Sequence, residues 1–459
     1  MKKNTVFKCS NCGYISAGFF GKCPQCNEWG TIEEIEDIKE SSSKLSGSKN
    51  KRTGKAKKLA DVKSENDFRL KTDIEEFNRV MGGGIVRDSV TILTARPGAG
   101  KSTLLLQVAN DLSLKDKKVL YASGEESETQ IKQRAMRIIN NISDNIYVYS
   151  GNSLDNVLME IENVDPDLII LDSIQTFTLS EFSSRAGTPT QVMECANRLV
   201  DVAKNPKRPR IVFLVGQMTK EDELEGARSL EHLVDTVLMI EGENQEELRS
   251  LLTTKNRYGS TGEMGFFIMT EEGMVSLDNP SQYFMTKREK GEEVPGSALS
   301  VVREGTRPII LEIEALTSKS FLPYPSRIGE CMKREHLNTL ISILEERANL
   351  RLIDRNVVIK TTGGISLKET SSNLAIMMSI TSSLLNRPID GDTLFIGDVG
   401  LTGELKSVPS MEIRLKEAGR MGFKKAFVPL VSERIKSNIK GIELIECKNI
   451  IEVIEKSMK

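Results

Sequence analysis

Histidine is almost absent from this chain, whose 459 residues include only His232 and His336. Chemistry that depends on histidine as a general base is therefore not expected. No segment approaches the roughly 18 consecutive apolar residues of a membrane span. The N-terminal MKKNTVFKCSNC also lacks the apolar segment of a secretion signal. These absences predict a cytoplasmic protein with no membrane partner.

A strong charge of either sign is also missing, because the formal net charge is only −2. A nucleic-acid partner would therefore have to be bound through local basic patches rather than by the protein as a whole. The length suits two or three domains with a sizeable core.

Cysteine is concentrated at the N-terminus, where four of the seven cysteines form the pattern C-x2-C-x10-C-x2-C. In a reducing compartment such a cluster indicates a metal site rather than disulfides. Four thiolates suit one tetrahedral Zn²⁺, and a closed four-sulfur site is structural. The predicted ligands of a zinc finger at residues 1–34 are Cys9, Cys12, Cys23 and Cys26. A redox dithiol is the alternative.

Residues 35–65 are predicted to be a flexible basic linker. The segment from Lys44 to Lys63 holds eight Lys or Arg residues and one Asp, with Ser and Gly between them. Such a segment is typical of a solvated tether. Contact with a phosphate backbone is the alternative.

Two α/β domains are predicted to follow, at residues 66–288 and 289–459. In the first, short runs of Val, Ile and Leu alternate with helical stretches, as in a parallel sheet buried on both faces. The runs are SVTILTA (89–95), KVLYAS (118–123), DLIILD (167–172) and RIVFLVG (210–216), with VDTVLMIE and SLLTTKNR extending the sheet. In the second, GSALSVVREGTRPIILEIEALT alternates, and the strands NVVIKTTGG, LFIGDVGLTGE and KKAFVP surround the helix SSNLAIMMSITSSLLNR.

The first run leads into a near match to the phosphate-binding P-loop, G-x-x-x-x-G-K-[ST]. Backbone N–H groups and a helix N-terminus would converge there on the phosphates of ATP. Lys101 would contact the β- and γ-phosphates, and Ser102 would ligate Mg²⁺. The predicted ATP-binding residues are Ala95, Arg96, Pro97, Gly98, Ala99, Gly100, Lys101, Ser102 and Thr103. Ala95 replaces the first glycine, which is tolerable if φ stays negative; a decayed loop is the alternative.

Three further polar residues end neighbouring runs. Asp172 is predicted to reach Mg²⁺ through water, and Glu125 to accept the proton of the water that attacks the γ-phosphate. Gln217 is predicted to sense the γ-phosphate. Glu125 could instead cap the helix that follows it.

Lys255 and Arg257 follow a later strand, in SLLTTKNRYGSTGEMG. They are predicted to reach the nucleotide of a neighbouring subunit as trans-acting cations, since an arginine finger neutralises developing charge in this way. A solvated edge strand is the alternative.

These motifs together resemble the bacterial RadA (Sms) DNA-repair ATPase family over almost the whole chain. The resemblance rests on the cysteine finger followed by EWGT, and on RVMGGGIVRDSV, GKSTLLLQ, YASGEES, LDSIQT, GQMTK, SLEHLVDTV and KNRYG. The family signature at the last of these is KNRFG, and its positions here are Lys255, Asn256, Arg257, Tyr258 and Gly259. The family usually has Gly-Asp-Pro-Gly in place of Ala95 to Gly98, and histidine in place of Gln217.

The resemblance implies a RecA-like ATPase core in a hexameric ring of identical subunits. It implies translocation on single-stranded DNA and branch migration of branched recombination intermediates alongside the RecA recombinase, near the nucleoid. The finger is implied to help contact RecA. The alternative is a DNA-independent, ATP-gated switch.

The C-terminal domain resembles the Lon protease domain, whose catalysis uses a Ser–Lys dyad. Ser372 falls at or near the nucleophile position, but the lysine position matches Arg414 or Leu415. Arginine cannot act as the base, and Lys416 would face about 200° away from Arg414 on a helix. Ser372 is therefore predicted to lie in a helix N-cap region, and the domain to be a proteolytically inactive scaffold of the ring that also offers a DNA-binding surface. An ATP-dependent serine protease is the alternative.

DNA contacts are predicted in the loops near 176–190 and 217–229. Phe177 and Phe182 are the aromatic residues there, so little base stacking is expected.

Overall fold

The computed structural model describes residues 69–217, 228–242, 247–288 and 292–458. Before residue 69 it describes three strands and residues 21, 22, 24, 29 and 58. The chain divides into two compact units, residues 1–64 and 65–459. No helix among the described residues is long and apolar enough to cross a bilayer.

The N-terminal unit contains a three-stranded antiparallel sheet in the order β2-β1-β3. Its strands are β1 Thr5–Cys9, β2 Ile15–Ser16 and β3 Ile32–Glu36. Cys9 ends β1, whereas the other three predicted zinc ligands, Cys12, Cys23 and Cys26, lie outside the described residues. Most of the predicted linker lies outside them too.

Residues 65–288 contain a nine-stranded sheet in the order β14-β13-β12-β11-β6-β10-β9-β7-β8. The strands from β11 to β8 in this order are parallel, and β12, β13 and β14 are antiparallel. The elements are β4 Arg69–Leu70, α1 Glu75–Val80, β5 Ile85–Val86, β6 Val90–Ala95, α2 Lys101–Ser113, β7 Val119–Ser123, α3 Glu128–Ile138, β8 Ile146–Ser150, α4 Leu154–Val164, β9 Leu168–Asp172, α5 Pro189–Ala203, β10 Ile211–Gln217, α6 Arg228–Leu233, β11 Thr236–Glu241, β12 Leu248–Asn256, β13 Met264–Thr270, β14 Gly273–Ser276 and α7 Pro280–Tyr283.

The central strands are buried on both faces, as their uninterrupted apolar runs predicted. Every residue of β6 and β9 is buried. Along β6, Val90 and Ile92 pack on the side of α5, whereas Leu93 and Ala95 pack on the side of α2. Because strand side chains alternate, one apolar run fills two cores and holds its carboxyl end in a fixed position.

The remaining residues form a seven-stranded sheet in the order β17-β18-β16-β15-β19-β22-β23. The predicted helix is α9, and its residues from Asn373 to Ser382 are all buried against the sheet. The elements are β15 Ser297–Glu304, β16 Arg307–Lys319, β17 Arg327–Gly329, α8 Arg334–Ala348, β18 Arg355–Thr361, α9 Asn373–Leu385, β19 Thr393–Phe395, β20 Asp398–Val399, β21 Leu405–Lys406, α10 Met411–Arg420, β22 Lys425–Val428, α11 Glu433–Asn438, β23 Glu443–Glu446 and α12 Ile450–Ser457.

Candidate nucleotide-binding site

The P-loop runs from the end of β6 to the start of α2. Gly98 and Gly100 have φ values of 81° and 104°, which favour glycine strongly. A Cβ at Gly100 would lie 2.5 Å from Cε of Met269. Both glycines of the loop therefore stand where the backbone needs them.

Ala95, by contrast, is the last residue of β6 and lies fully buried in extended backbone. It is not among the residues with positive φ. An alanine side chain causes no backbone strain in this conformation. The missing first glycine thus leaves the shape of the loop intact.

Lys101 folds back over the loop that precedes it. Its Nζ donates to the carbonyls of Ala95, at 2.9 Å, and Arg96, at 3.3 Å. Burial lowers the pKa of Lys101, while the Asp172 and Glu125 carboxylates oppose that shift. The ammonium thus occupies a partly dehydrated position beside two acids, where an incoming phosphate would be a stronger partner than two carbonyls.

Ser102 and Asp172 meet at the carboxyl ends of β6 and β9. Ser102 Oγ donates to Asp172 Oδ2 at 2.7 Å. Hydroxyl and carboxylate oxygens are ligands that Mg²⁺ prefers when substrate phosphates and water complete the octahedron. The residues present therefore fit the predicted Mg²⁺, which Ser102 and Asp172 would hold.

Tyr121 is a third member of this group, which the sequence did not reveal. It is fully buried in β7, and its hydroxyl donates to Asp172 Oδ2 at 2.6 Å. Burial and the adjacent carboxylate raise the pKa of Tyr121 well above its usual value, so the phenol remains a donor. If Ser102 bound a metal ion instead of Asp172, the hydrogen bond from Tyr121 would still hold Asp172 in place.

Tyr121→Phe should raise the Mg²⁺ concentration required for half-maximal ATP hydrolysis by about tenfold, because outer-shell partners orient metal ligands. The KM for ATP at saturating Mg²⁺ should stay near that of the unmodified protein. A Mg²⁺ titration of phosphate release measures both quantities. Tyr147→Phe is the matched control, since Tyr147 is exposed on β8. An unchanged Mg²⁺ dependence in Tyr121→Phe would show that this hydrogen bond has no such role.

The two adjacent acids Glu125 and Glu126 have different partners. Glu126 forms a two-pronged ion pair with Arg134, with Oε2 at 2.8 Å from Nη1. Glu125 Oε1 accepts from Ser173 Oγ at 2.5 Å and from Gln217 Nε2 at 2.9 Å. Of the two carboxylates, Glu125 is therefore the one joined to the predicted γ-phosphate sensor.

Helix α3 does not depend on Glu125 for its cap. Ser127 caps it, with Gln130 completing a capping box.

One cleft brings together Lys101, Ser102, Glu125, Asp172 and Gln217, and its other lining residues are Pro97, Gly98, Ser123, Glu126, Arg134, Ser173 and Val215.

Lys255 and Arg257 lie at the amino ends of the parallel strands, whereas the P-loop lies at their carboxyl ends. Strand β12 is antiparallel to β11, and Asn256 pairs with Thr236 at the start of β11. Thr236 in turn pairs with Thr91 near the start of β6. The P-loop leaves the far end of β6 at Ala95, four residues or about 13 Å further along the strand at about 3.3 Å per residue. Within one subunit these two cations therefore do not reach the cleft.

Both cations are held by groups of their own subunit. Lys255 Nζ donates to the carbonyl of Val234 at 2.9 Å, and burial and Arg257 lower the pKa of Lys255. Arg257 Nη1 lies 3.2 Å from Asp235 Oδ1, and its side chain is half exposed. Each head group is thus oriented by an acceptor that belongs to a buried residue.

In the C-terminal region, Arg414 is almost fully buried and forms an ion pair with Glu369 at 2.7 Å. Ser372 is the N-cap residue of α9, and its Oγ donates to the carbonyl of Glu369 at 3.0 Å. Lys416 is exposed and pairs with Glu412 at 2.8 Å. Arg414 is thus fixed as a cation, and Lys416 points elsewhere, as its helical position predicted.

The predicted DNA-contact loops are described only in part. In the first, Phe177 is fully buried and Phe182 packs partly buried on the core. Gln217 ends β10, and residues 218–227 of the second loop lie outside the described residues. The first loop therefore offers no exposed aromatic ring for base stacking.

Two family models match the chain. One, described as an AAA domain, matches residues 55–222, and one described as a rubredoxin metal binding domain matches residues 7–34, which hold all four N-terminal cysteines. Together with the sheet topology they confirm the predicted fold class: a zinc-ribbon N-terminus, a RecA-like P-loop ATPase core and a C-terminal α/β region. A solved structure of another protein's ATPase domain matches 45% of this chain and 90% of that chain at 16% identity, with a TM-score of 0.39, which is too low to bear on the fold.

Curated relatives match along the full length. The DNA repair protein RadA of Listeria monocytogenes is 40% identical over 100% of this chain and 99% of its own. That of Bacillus subtilis is 40% identical, again over 100% and 99%. That of Streptococcus pyogenes serotype M3 is 38% identical over 98% and 97%. This chain therefore belongs to the RadA family of DNA repair proteins.

Proposed function

We propose that the protein is a DNA-dependent ATPase of recombinational repair. ATP hydrolysis drives its translocation on single-stranded DNA and its branch migration of recombination intermediates alongside RecA. The observation that supports this most is the convergence of Lys101, Ser102, Asp172, Glu125 and Gln217 in one cleft.

Each residue of the cleft has a defined task in this proposal. Lys101 leaves its two carbonyl acceptors and binds the β- and γ-phosphates. Ser102 and Asp172 hold Mg²⁺, which neutralises developing charge on the phosphates. Glu125 orients the attacking water and takes its proton. Gln217, hydrogen-bonded to Glu125, links that carboxylate to the state of the γ-phosphate.

A ring of identical subunits completes the site. Lys255 and Arg257 lie at the amino ends of the parallel strands, and the cleft lies at their carboxyl ends. These two cations would therefore act in the cleft of a neighbouring subunit. A hexamer is the size that we propose.

The four cysteines hold one structural Zn²⁺ in the N-terminal unit, which contacts RecA. We place the protein in the cytoplasm, near the nucleoid.

The test of the function is the rate of phosphate release with and without single-stranded poly(dT). An increase of at least about tenfold is expected if nucleic acid completes the site between subunits. A rate that does not respond to poly(dT) would replace this proposal with the ATP-gated switch.

Glu125→Gln should lower kcat about a hundredfold, because a positioned general base contributes at least that factor. Glu126→Gln is the matched control, since it makes the same change one residue away, in a carboxylate already committed to Arg134. Its effect on kcat should be much smaller. Equal losses in the two variants, or a larger loss in Glu126→Gln, would contradict the assignment of Glu125.

A further inference from the structure

The turn between β15 and β16 contacts the ATPase core. Gly305 has a φ of 64°, and a Cβ there would lie 2.0 Å from the carbonyl oxygen of Gly262. No side chain fits at such a distance. The tip of this C-terminal hairpin is therefore in direct backbone contact with the turn that joins β12 to β13.

Two buried carboxylates of the core bind the next two residues of the hairpin. Thr306 Oγ1 lies 2.6 and 2.7 Å from the two carboxylate oxygens of Glu263. Arg307 Nη1 lies 2.5 Å from Glu76 Oε1. Arg79 joins both acids, at 3.1 Å from each. Glu76 and Glu263 are 4% and 6% exposed, so each depends on these partners for its charge to stay buried.

The same turn closes the loop that carries KNRYG, residues 255–259. Thr253 N donates to the carbonyl of Glu263 at 2.9 Å, and Gly262 N donates to the carbonyl of Thr253 at 2.7 Å. Residues 254–261, of which 254–256 are the end of β12, are thus closed at their base by these two hydrogen bonds. Glu263, whose carbonyl closes this segment, is also the residue whose carboxylate binds Thr306 of the hairpin.

Helix α1 makes a second connection between hairpin and loop. Its Glu76 binds the hairpin, and the carbonyl of Val80 accepts from Thr253 Oγ1 at 2.9 Å. Just beyond the helix, a Cβ on Gly82 would lie only 3.3 Å from Cα of Gly259. A shift of α1 would therefore move the KNRYG loop from its other side.

We propose that the hairpin tip, Gly305 to Arg307, is a positioning element for the KNRYG loop. It sets the direction in which the Lys255 and Arg257 side chains project from the ATPase core. The C-terminal region thereby controls how well these cations reach the cleft of the neighbouring subunit. This inference rests on the proposed trans role of KNRYG. The competing explanation is that the buried ion cluster only holds the two sheets together.

Mixed rings separate these explanations. Lys101→Ala subunits have no working cleft but keep KNRYG, and Arg257→Ala subunits have the opposite defect. A mixture should recover poly(dT)-stimulated hydrolysis wherever an intact cleft meets an intact loop. Failure of this parent mixture would remove the trans role itself, before the hairpin is tested.

Thr306→Val is then placed in one subunit type at a time. In the Lys101→Ala subunit, which supplies KNRYG, it should lower the recovered rate about tenfold, because small misplacements of catalytic groups have large effects. In the Arg257→Ala subunit, whose loop is already defective, it should leave the recovered rate unchanged. The substitution is identical in both mixtures, so any general loss of folding or assembly affects them alike.

Thr306→Ser, which keeps the hydroxyl, should restore the rate in the first mixture. Solution mass of each mixture confirms that rings form. Equal losses from the two placements, or a loss in neither, would overturn the positioning role while leaving the trans role standing.

Discussion

Lys101→Ala is expected to lower ATP hydrolysis by about four orders of magnitude, because it removes the cation that stabilises charge on the transferring phosphoryl group. The lysine lies beside Asp172 and Glu125, and burial lowers its pKa. In the variant, the two acids would face the phosphates without this cation. The affinity for ATP should fall as well.

The fold should tolerate this change. Lys101 donates only to Ala95 and Arg96 within its own loop, and α2 keeps its apolar side packed on the sheet. Phosphate release and thermal unfolding should be measured in parallel. Lys132→Ala, on the exposed side of α3, is the control for loss of a lysine. Hydrolysis within about tenfold of the unmodified rate would show that phosphates bind elsewhere, since charge stabilisation here is expected to dominate.

The strands and the P-loop were predictable from sequence because their causes are local. Burial of β6 and β9 on both faces requires uninterrupted apolar runs, and such runs are visible in the chain. The glycines at 98 and 100 mark positive φ, which is also a property of single residues. The position of Ala95 inside a strand followed from the same pattern.

The partners of the site residues were not predictable in this way. Tyr121 reaches Asp172 because β7 lies beside β9 in the sheet, and Ser173 reaches Glu125 for the same reason. Strand order is a tertiary property that apolar periodicity does not encode. Tyr121 reads in the sequence as one more apolar residue of its strand.

The location of KNRYG depended on strand direction. The sequence places Lys255 and Arg257 at the end of a strand, which in a parallel sheet would bring them to the P-loop edge. Strand β12 runs antiparallel to β11, and this reversal takes them to the opposite edge. In the C-terminal region, by contrast, helical period alone separated Lys416 from Arg414, although the partner of Arg414, Glu369, could not be foreseen.

Arg257→Ala is expected to lower poly(dT)-stimulated hydrolysis about a thousandfold, the lower end of the range for a trans-acting arginine. The affinity for ATP should change much less, because the arginine would act mainly on the charge that develops in the transition state. Stimulated phosphate release and binding of a fluorescent ATP analogue measure the two quantities. A loss in kcat that exceeds the loss in affinity indicates an interaction made mainly in the transition state.

Loss of this arginine should not unfold the protein. Arg257 is half exposed, and Asp235 keeps Lys204 at 2.8 Å and the Val90 N–H at 3.0 Å. The ion pair is therefore worth at most about 1 kcal/mol. Arg420→Ala removes an exposed arginine paired with Glu417 and serves as the control. If Arg257→Ala left poly(dT)-stimulated phosphate release unchanged, the assignment of Arg257 as a trans-acting cation would be wrong.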